Sequence, residues 1–149
     1  MQEEDRTQAF LHSLLEHNVL IGWKPQYELG VPVIDEHHRG IVTAINSLHF
    51  GIEHEQGREM LGPVIRIVNI YTQIHFETEE IFFRICDFPH LEEHHEMHNE
   101  FRRMLSRISE KCLENENPLE FLDFLQKWFI NHICDKDRLF KEYLLDINR

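Results

Sequence analysis

The chain is poor in the residues that form disulfides, cross membranes or bind polyanions. Its three cysteines, at positions 86, 112 and 134, are an odd number without a Cys-x-x-Cys pair, which predicts reduced, ordinarily packed thiols in the cytoplasm. Basic residues are outnumbered 27 to 15 by acidic ones, and the resulting charge of −12 argues against nucleic acid and anionic membranes as partners. Apolar runs such as residues 81–83 are too short to span a bilayer, and the acidic start, residues 1–5, does not resemble an export signal.

Glycine and proline are also scarce, and they cluster where the chain is expected to turn. Residues 22–32 form an irregular arm, and the Gly51–Pro63 region, Pro89 and the 115–118 stretch separate four long segments. No strand-like alternation of apolar and polar residues persists anywhere. A length of 149 residues is typical of one domain with a single sizeable core.

Within each of the four segments, apolar residues recur every three or four positions, as in Phe101, Leu105, Ile108 and Cys112. Four helices of about 20 residues, each about 30 Å long, with short connections predict an all-α, up-down antiparallel four-helix bundle with an irregular N-terminal arm. We assign residues 23–149 to the bundle. Residues 1–22 are a predicted extension with a short helix over residues 7–17.

Seven metal-type side chains share the helical phase of these core-facing residues. They are His38, His75, Glu79, His94, His98, His132 and Asp137. Burying so many polar groups is costly unless a metal holds them. Imidazole suits Fe, Zn, Cu and Ni, and a carboxylate can bridge two ions. The five imidazoles divide into three on one ion and two on the other, and the two carboxylates bridge the ions. The ion with two imidazoles then keeps an open coordination position for a small ligand.

Two of these residues have a spacing that a regular helix does not accommodate. Asp137 follows His132 by five residues, so an α-helix would turn the two side chains about 140° apart. Either the helix ends or tightens after His132, or a π-bulge intervenes. We therefore predict irregular backbone between residues 132 and 137.

The remaining histidines lack this combined pattern and are predicted to be ordinary core or boundary residues rather than ligands. They are His12, His17, His49, His54 and His90. His37 and His95 adjoin two predicted ligands and are expected to flank them or to support them through hydrogen bonds. Trp128 and the phenylalanine-rich stripe are predicted to be core.

Four elements in order resemble the hemerythrin family of non-haem di-iron oxygen-binding proteins, in particular its bacterial branch. The resemblance covers about residues 23–145. The elements are Trp23-Lys-Pro-Gln-Tyr-Glu-Leu-Gly30 with Ile34-Asp-Glu-His-His38, His75-Phe-Glu-Thr-Glu79-Glu80, Phe88-Pro89 with His94-x-x-x-His98-x-x-Phe101, and Trp128-Phe-Ile-Asn-His132-Ile133 with Asp137. Family members bind dioxygen reversibly in a four-helix bundle, so the resemblance implies the same fold and activity here.

The resemblance also implies a role for each predicted ligand at two iron ions (Fe²⁺/Fe³⁺). His94, His98 and His132 would hold a six-coordinate iron. His38 and His75 would hold a five-coordinate iron, where dioxygen binds. Glu79 and Asp137 would bridge the irons together with an oxo or hydroxo group. By the same resemblance, Phe129 and Ile133 would line an apolar dioxygen pocket that limits the entry of water.

Two functions follow from this resemblance. The first is oxygen carriage or storage, which is binding without enzymatic turnover. The second is an oxygen or redox sensor that regulates an attached output domain or a partner protein. A ferritin-like oxidase is disfavoured because such sites use two Glu-x-x-His pairs, whereas the one such spacing here, Glu92 to His95, lies off the inward stripe. A structural zinc site is disfavoured because it closes with four ligands rather than seven.

Overall fold

The computed structural model describes residues 2–15 and 19–148, and its regular elements are all helical. They are α1 (Gln2–Leu15), a 3₁₀ turn (Pro25–Tyr27), α2 (Pro32–Glu53), α3 (Gly57–Ile85), α4 (Leu91–Asn115), α5 (Pro118–Trp128), a π-helical segment (Phe129–Lys136) and α6 (Asp137–Ile147). Helices α2, α3 and α4 pack antiparallel with a fourth rod made of α5, the π segment and α6. The predicted all-α bundle is confirmed, and no strand occurs among the described residues.

The helix predicted within the N-terminal extension exists but lies nearer the start of the chain. Helix α1 begins at Gln2 and ends at Leu15, and residues 16–18 of the extension lie outside the described residues. Three acidic residues in its first turn favour the earlier start, because negative charge stabilises a helix N-terminus. Phe10 lies edge-on to the ring of His54, with 6.3 Å between the ring centroids.

The prediction that Gly62 and Pro63 lie in a break between helices is wrong. Helix α3 begins at Gly57 and continues through both residues. A proline inside a helix costs about 3 kcal/mol. The adjacent Leu61, Val64 and Ile65 are buried in the core. Burial of such side chains contributes about 1.5–3 kcal/mol each, which outweighs the local cost of the proline.

Two of the glycines in this region allow α2 and α3 to approach each other closely. A Cβ atom on Gly51 would lie 2.6 Å from Cγ of Met60. A Cβ atom on Gly57 would lie 2.9 Å from Cγ1 of Ile52. The true connection between the two helices is only residues 54–56. These glycines therefore reflect tight helix packing rather than a long loop.

The arm before α2 is anchored by Asp35 in the first turn of that helix. Its carboxylate accepts the backbone N–H of Leu29 at 2.7 Å and of Gly30 at 3.2 Å. Gly30 has φ of +86°, a left-handed conformation that favours glycine. The turn brings the carbonyl oxygen of Tyr27 to 3.4 Å from Nδ1 of His38. The arm thus packs directly beside one predicted ligand.

The reversal between α4 and α5 takes only two residues. Glu116 adopts a left-handed conformation with φ of +49°, and Oδ1 of Asn117 accepts the backbone N–H of Glu120 at 3.2 Å. Pro118 occupies the first helical position, where its missing N–H costs nothing. This compact cap aligns α4 antiparallel to the fourth rod.

The hydrophobic core consists of two clusters with a polar layer between them. On α2, Ile34 belongs to the smaller cluster and Ile41 to the larger one, with His38 between them. On α3, Phe76 and Phe83 belong to different clusters in the same way. The predicted metal ligands therefore occupy a layer that is sealed by apolar residues above and below.

Among the described residues, no helix combines the length and the apolar character that crossing a bilayer requires. The thiols of Cys86, Cys112 and Cys134 are all free, as predicted.

Candidate metal centre

Each helix of the bundle contributes to the buried polar layer. The structure brings all seven predicted side chains together there, and none is more than 5% exposed. Helix α2 contributes His38, α3 contributes His75 and Glu79, α4 contributes His94 and His98, and the fourth rod contributes His132 and Asp137.

These side chains form two groups in which the potential ligand atoms lie within 4.8 Å of one another. One group is Glu79, His94, His98 and His132, and the other is His38, His75, Glu79 and Asp137. In the first group, Oε2 of Glu79 lies 3.0 Å from Nε2 of His98 and 3.4 Å from Nε2 of His94. Because Glu79 belongs to both groups, its carboxylate joins them.

Asp137 provides a second connection, since its two oxygens face different groups. Its Oδ2 atom lies 3.2 Å from Nε2 of His38 and 3.5 Å from Nε2 of His75. Its Oδ1 atom lies 3.1 Å from Nε2 of His94 and 3.2 Å from Nε2 of His132. A carboxylate turned in this way can offer one oxygen to each of two ions.

The hydrogen bonding of these atoms tests whether the layer fits a metal. Several nitrogens lie within 3.5 Å of a carboxylate oxygen, yet none makes a well-directed hydrogen bond at its inward atom. The inward Nε2 atoms of all five histidines and both oxygens of Glu79 and of Asp137 are buried without a hydrogen-bond partner. Buried polar atoms are normally paired, so nine converging unpaired ones call for cations to complete them.

The electrostatics of the layer also suit cations. Burial would raise the pKa of the Glu79 carboxyl, but the facing histidines, His75 foremost, lower it well below its usual value. Burial lowers the pKa of His75 and of His98, which favours the neutral imidazoles that bind metals. The two carboxylates overcome burial at His94 and raise its pKa to about 9. A metal ion at this imidazole would therefore compete with a proton.

The predicted irregular backbone around His132 is confirmed as a π-helical segment, Phe129–Lys136. The backbone N–H of Asp137 donates to the carbonyl oxygen of His132, a bond that spans five residues. Wider winding keeps residues five apart on one side of the rod. This turn is what allows His132 and Asp137 to face the same centre.

One carboxylate beside the layer was not identified from the sequence. Glu80 is buried, and its Oε1 accepts from Nδ1 of His98 at 2.9 Å and lies 3.0 Å from Nδ1 of His95. A carboxylate on the outer nitrogen fixes the orientation of a metal-binding imidazole. His95 therefore supports His98 through Glu80, in agreement with its predicted flanking role. The available signal was the second glutamate of the Glu79-Glu80 pair.

The other predicted flanking residue, His37, lies against His75. It is buried, and the two rings meet edge to face with 5.8 Å between their centroids. His12, His49, His54 and His90 belong to neither ligand group of the described residues, as predicted, and His17 lies outside those residues.

Aromatic and aliphatic side chains line the layer. Phe129 and Ile133, which flank His132, are both buried. Phe76 stacks on His98 with 3.9 Å between ring centroids, and Trp128 stacks on His132 with 5.1 Å. The predicted core role of Trp128 agrees with its packing beside the larger cluster. The role of Phe129 and Ile133 as a dioxygen pocket stays a prediction.

A surface groove of about 770 Å³ between α4 and the fourth rod reaches the layer. Its apolar walls include Met97, Phe101 and Met104, and its inner end includes Trp128 and His132. The groove therefore borders the side of the layer that contains the group of three histidines, although Nε2 of His132 is itself buried.

The fold and the polar layer together define a four-helix bundle with two joined histidine–carboxylate groups, the arrangement of a binuclear cation site. A family model for the hemerythrin HHE cation binding domain matches residues 29–144. The chain belongs to the hemerythrin family.

Several individual relatives are consistent with that family. Bacteriohemerythrin from Stenotrophomonas maltophilia is 30% identical over 127 residues, which cover 83% of this chain and 80% of that protein. Bacteriohemerythrin from Pseudomonas aeruginosa is 30% identical over 118 residues, covering 77% of this chain and 75% of that protein. Myohemerythrin from Theromyzon tessulatum is 23% identical over 119 residues, which cover 80% of this chain and 89% of that protein.

Proposed function

We propose that this chain binds dioxygen reversibly, without enzymatic turnover, at two iron ions in the buried polar layer. The observation that carries the proposal is the division of five buried imidazoles into a group of three and a group of two around two shared carboxylates. Three imidazoles and two carboxylates nearly fill the coordination of one ion. Two imidazoles and the same carboxylates leave the other ion with an open coordination position for a small ligand.

The contacts within each group support an assignment for every ligand. His94, His98 and His132 would hold one iron, and His38 and His75 would hold the other. Glu79 and Asp137 would bridge the two ions. The membership of Glu79 in both groups and the division of the Asp137 oxygens between them support this role.

When bound, the iron pair would supply an open coordination position and the electrons that dioxygen binding requires. The protein's own part is to exclude water, orient the imidazoles and keep the carboxylates charged. Phe129 and Ile133 flank His132 inside the larger apolar cluster, so we propose them as the walls that keep water from the ligand position. Glu80 orients His98 through its 2.9 Å hydrogen bond.

The test of this proposal is a reversible colour change. Iron-loaded, reduced protein exposed to air should become coloured, and removal of oxygen should reverse the colour over repeated cycles. His94→Ala should abolish the cycle. His90→Ala, four residues earlier at the position just before α4 and with a side chain 53% exposed, should leave it unchanged. If two irons remain bound while the colour never reverses, reversible oxygen binding is refuted.

A sensing role is the second candidate, and the position of Asp137 favours it. This residue is both part of the polar layer and the first residue of α6. A change in ligand state could therefore alter α6, on which Leu139, Leu145 and Ile147 are exposed. Hydrogen exchange of α6 compared between the oxygenated and deoxygenated protein distinguishes the roles. Sensing requires a change in exchange there, whereas simple carriage requires none.

A further inference from the structure

The outward face of α3 exposes a row of isoleucines that the metal centre does not use. Each retains between 43% and 74% of its accessible surface. The row consists of Ile67, Ile70, Ile74, Ile81 and Ile85. Neither hydrophobic cluster of the described residues includes any of them. Single exposed apolar residues are ordinary, but a contiguous row on one helix marks an interaction surface.

The spacing of the isoleucine row is that of helix pairing. Ile67, Ile74 and Ile81 are seven residues apart, as at position a of a heptad, and Ile70 occupies the first d position, while the two later d positions are Glu77 and Arg84. At 100° per residue the row lies within an arc of about 60°, and it extends about 27 Å along the helix.

The buried side of α3 is already fully used by the bundle. His75 and Glu79 point into the polar layer, and Val68 and Phe76 pack in the larger cluster. The isoleucine row lies on the opposite side of the helix, so it does not contribute to the fold of one copy.

The charge near the row indicates what kind of partner fits it. Two copies of a chain with a net charge of −12 repel each other unless they meet where acidic residues are sparse. Between residues 66 and 85, the exposed charged residues of α3 are Arg66, Glu77 and Arg84, which sum to +1. The exposed part of α3 that contains the row is thus nearly neutral and apolar on an acidic molecule, so this helix adds little repulsion to a second copy.

We propose that a second copy of this chain packs on the isoleucine row, so that two α3 helices pair across a two-fold axis. Such a pairing is isologous, because the same strip on each copy supplies both halves of the interface. The assembly buries the row without blocking the groove that reaches His132, since that groove lies between α4 and the fourth rod. The proposal does not depend on which ligand the metal centre binds.

The test is the mass of the full chain in solution, measured by sedimentation velocity. At about 100 µM, a hundredfold above a micromolar dissociation constant, the wild type should have twice the 18.1 kDa mass of one chain. The double variant Ile70→Glu/Ile74→Glu places like charges across the two-fold axis and should weaken association at least about a hundredfold. Ile147→Glu is the matched control, because this isoleucine on α6 is 51% exposed and lies outside the row. It should remain dimeric.

Other outcomes overturn the proposal. A dimer that survives in the double variant, or one that Ile147→Glu also disrupts, places the interface elsewhere. A monomeric wild type whose melting temperature falls in the double variant indicates that a segment of the same chain, such as α1, covers the row. A monomeric wild type with an unchanged melting temperature leaves the row for a different protein.

Discussion

Replacing Glu79 by glutamine tests the proposal that one carboxylate serves two irons. The side chain keeps its shape but loses the charge that faces four imidazoles, with Nε2 to Oε2 distances between 3.0 and 3.9 Å. Because Glu79 belongs to both groups, the substitution should weaken both irons together. Changes beside a metal ligand cost 10- to 100-fold in affinity, so we expect a loss of about 100-fold or more for the ligand itself.

The expected effect on stability can be worked out from that loss. Each iron present at about 1,000 times its dissociation constant stabilises the wild type by about 4 kcal/mol, so two irons contribute about 8 kcal/mol. A domain of this size shifts by about 2–4 °C per kcal/mol, so two irons should raise the melting temperature by about 16–32 °C. When both sites bind 100-fold more weakly, each metal concentration is about 10 times its dissociation constant, which corresponds to about 1.4 kcal/mol per iron. The thermal shift in Glu79→Gln should therefore shrink to about 6–11 °C.

The assay compares melting temperatures with and without iron for each protein, together with iron per chain after desalting. Taking the difference removes any effect of the substitution on the metal-free fold. Glu77→Gln is the matched control, since Glu77 lies on the same helix with an exposed side chain. It should behave like the wild type. Two irons per chain and a full thermal shift in Glu79→Gln would refute the bridging role.

Three further substitutions test separate parts of the account. His75→Ala should abolish oxygen binding and lower the iron content, because His75 is one of only two imidazoles in its group. If the iron content and the melting temperature do not change, His75 is not a ligand. Glu80→Gln should weaken iron binding by about 10- to 100-fold, measured by competition with a chelator, and no change would contradict its support of His98. Phe129→Ala should destabilise the protein by about 3–5 kcal/mol in denaturant and speed loss of the oxygenated colour; an unchanged decay rate would refute the wall role.

The helical order of the bundle was predictable because apolar periodicity and turn residues agreed along most of the chain. They disagreed at Gly62 and Pro63, where a local break signal lies beside residues that the core buries. Burial of these neighbouring side chains depends on the whole fold, and it stabilises the helix by more than the proline destabilises it. Sequence patterns alone do not weigh these two effects against each other.

The inward direction of the predicted ligands was predictable from their position on the helices. The irregular backbone was predictable because the five-residue spacing of two of these ligands does not fit an α-helix. His132 and Asp137 could not both face inward on an α-helix, and the structure resolves the conflict by wider winding. Glu80 was missed because its partner His98 lies 18 residues away on another helix. A glutamate next to a predicted ligand looks like a surface residue until the neighbouring helix is in position.

The isoleucine row of α3 was also missed, and for a related reason. Helix α3 has apolar residues at both its inner and outer phases, as Val68 and Ile70 illustrate. Periodicity identifies the residues that fit a core, but the outer residues become visible only when their exposure is known.

The most direct test of the central claim is an anomalous difference map, recorded at the iron absorption edge from crystals of the iron-loaded protein. The account predicts two iron peaks per chain in the polar layer. One should lie among His94, His98 and His132, the other between His38 and His75, with Glu79 and Asp137 contacting both. A single peak, or peaks outside this layer, would contradict it.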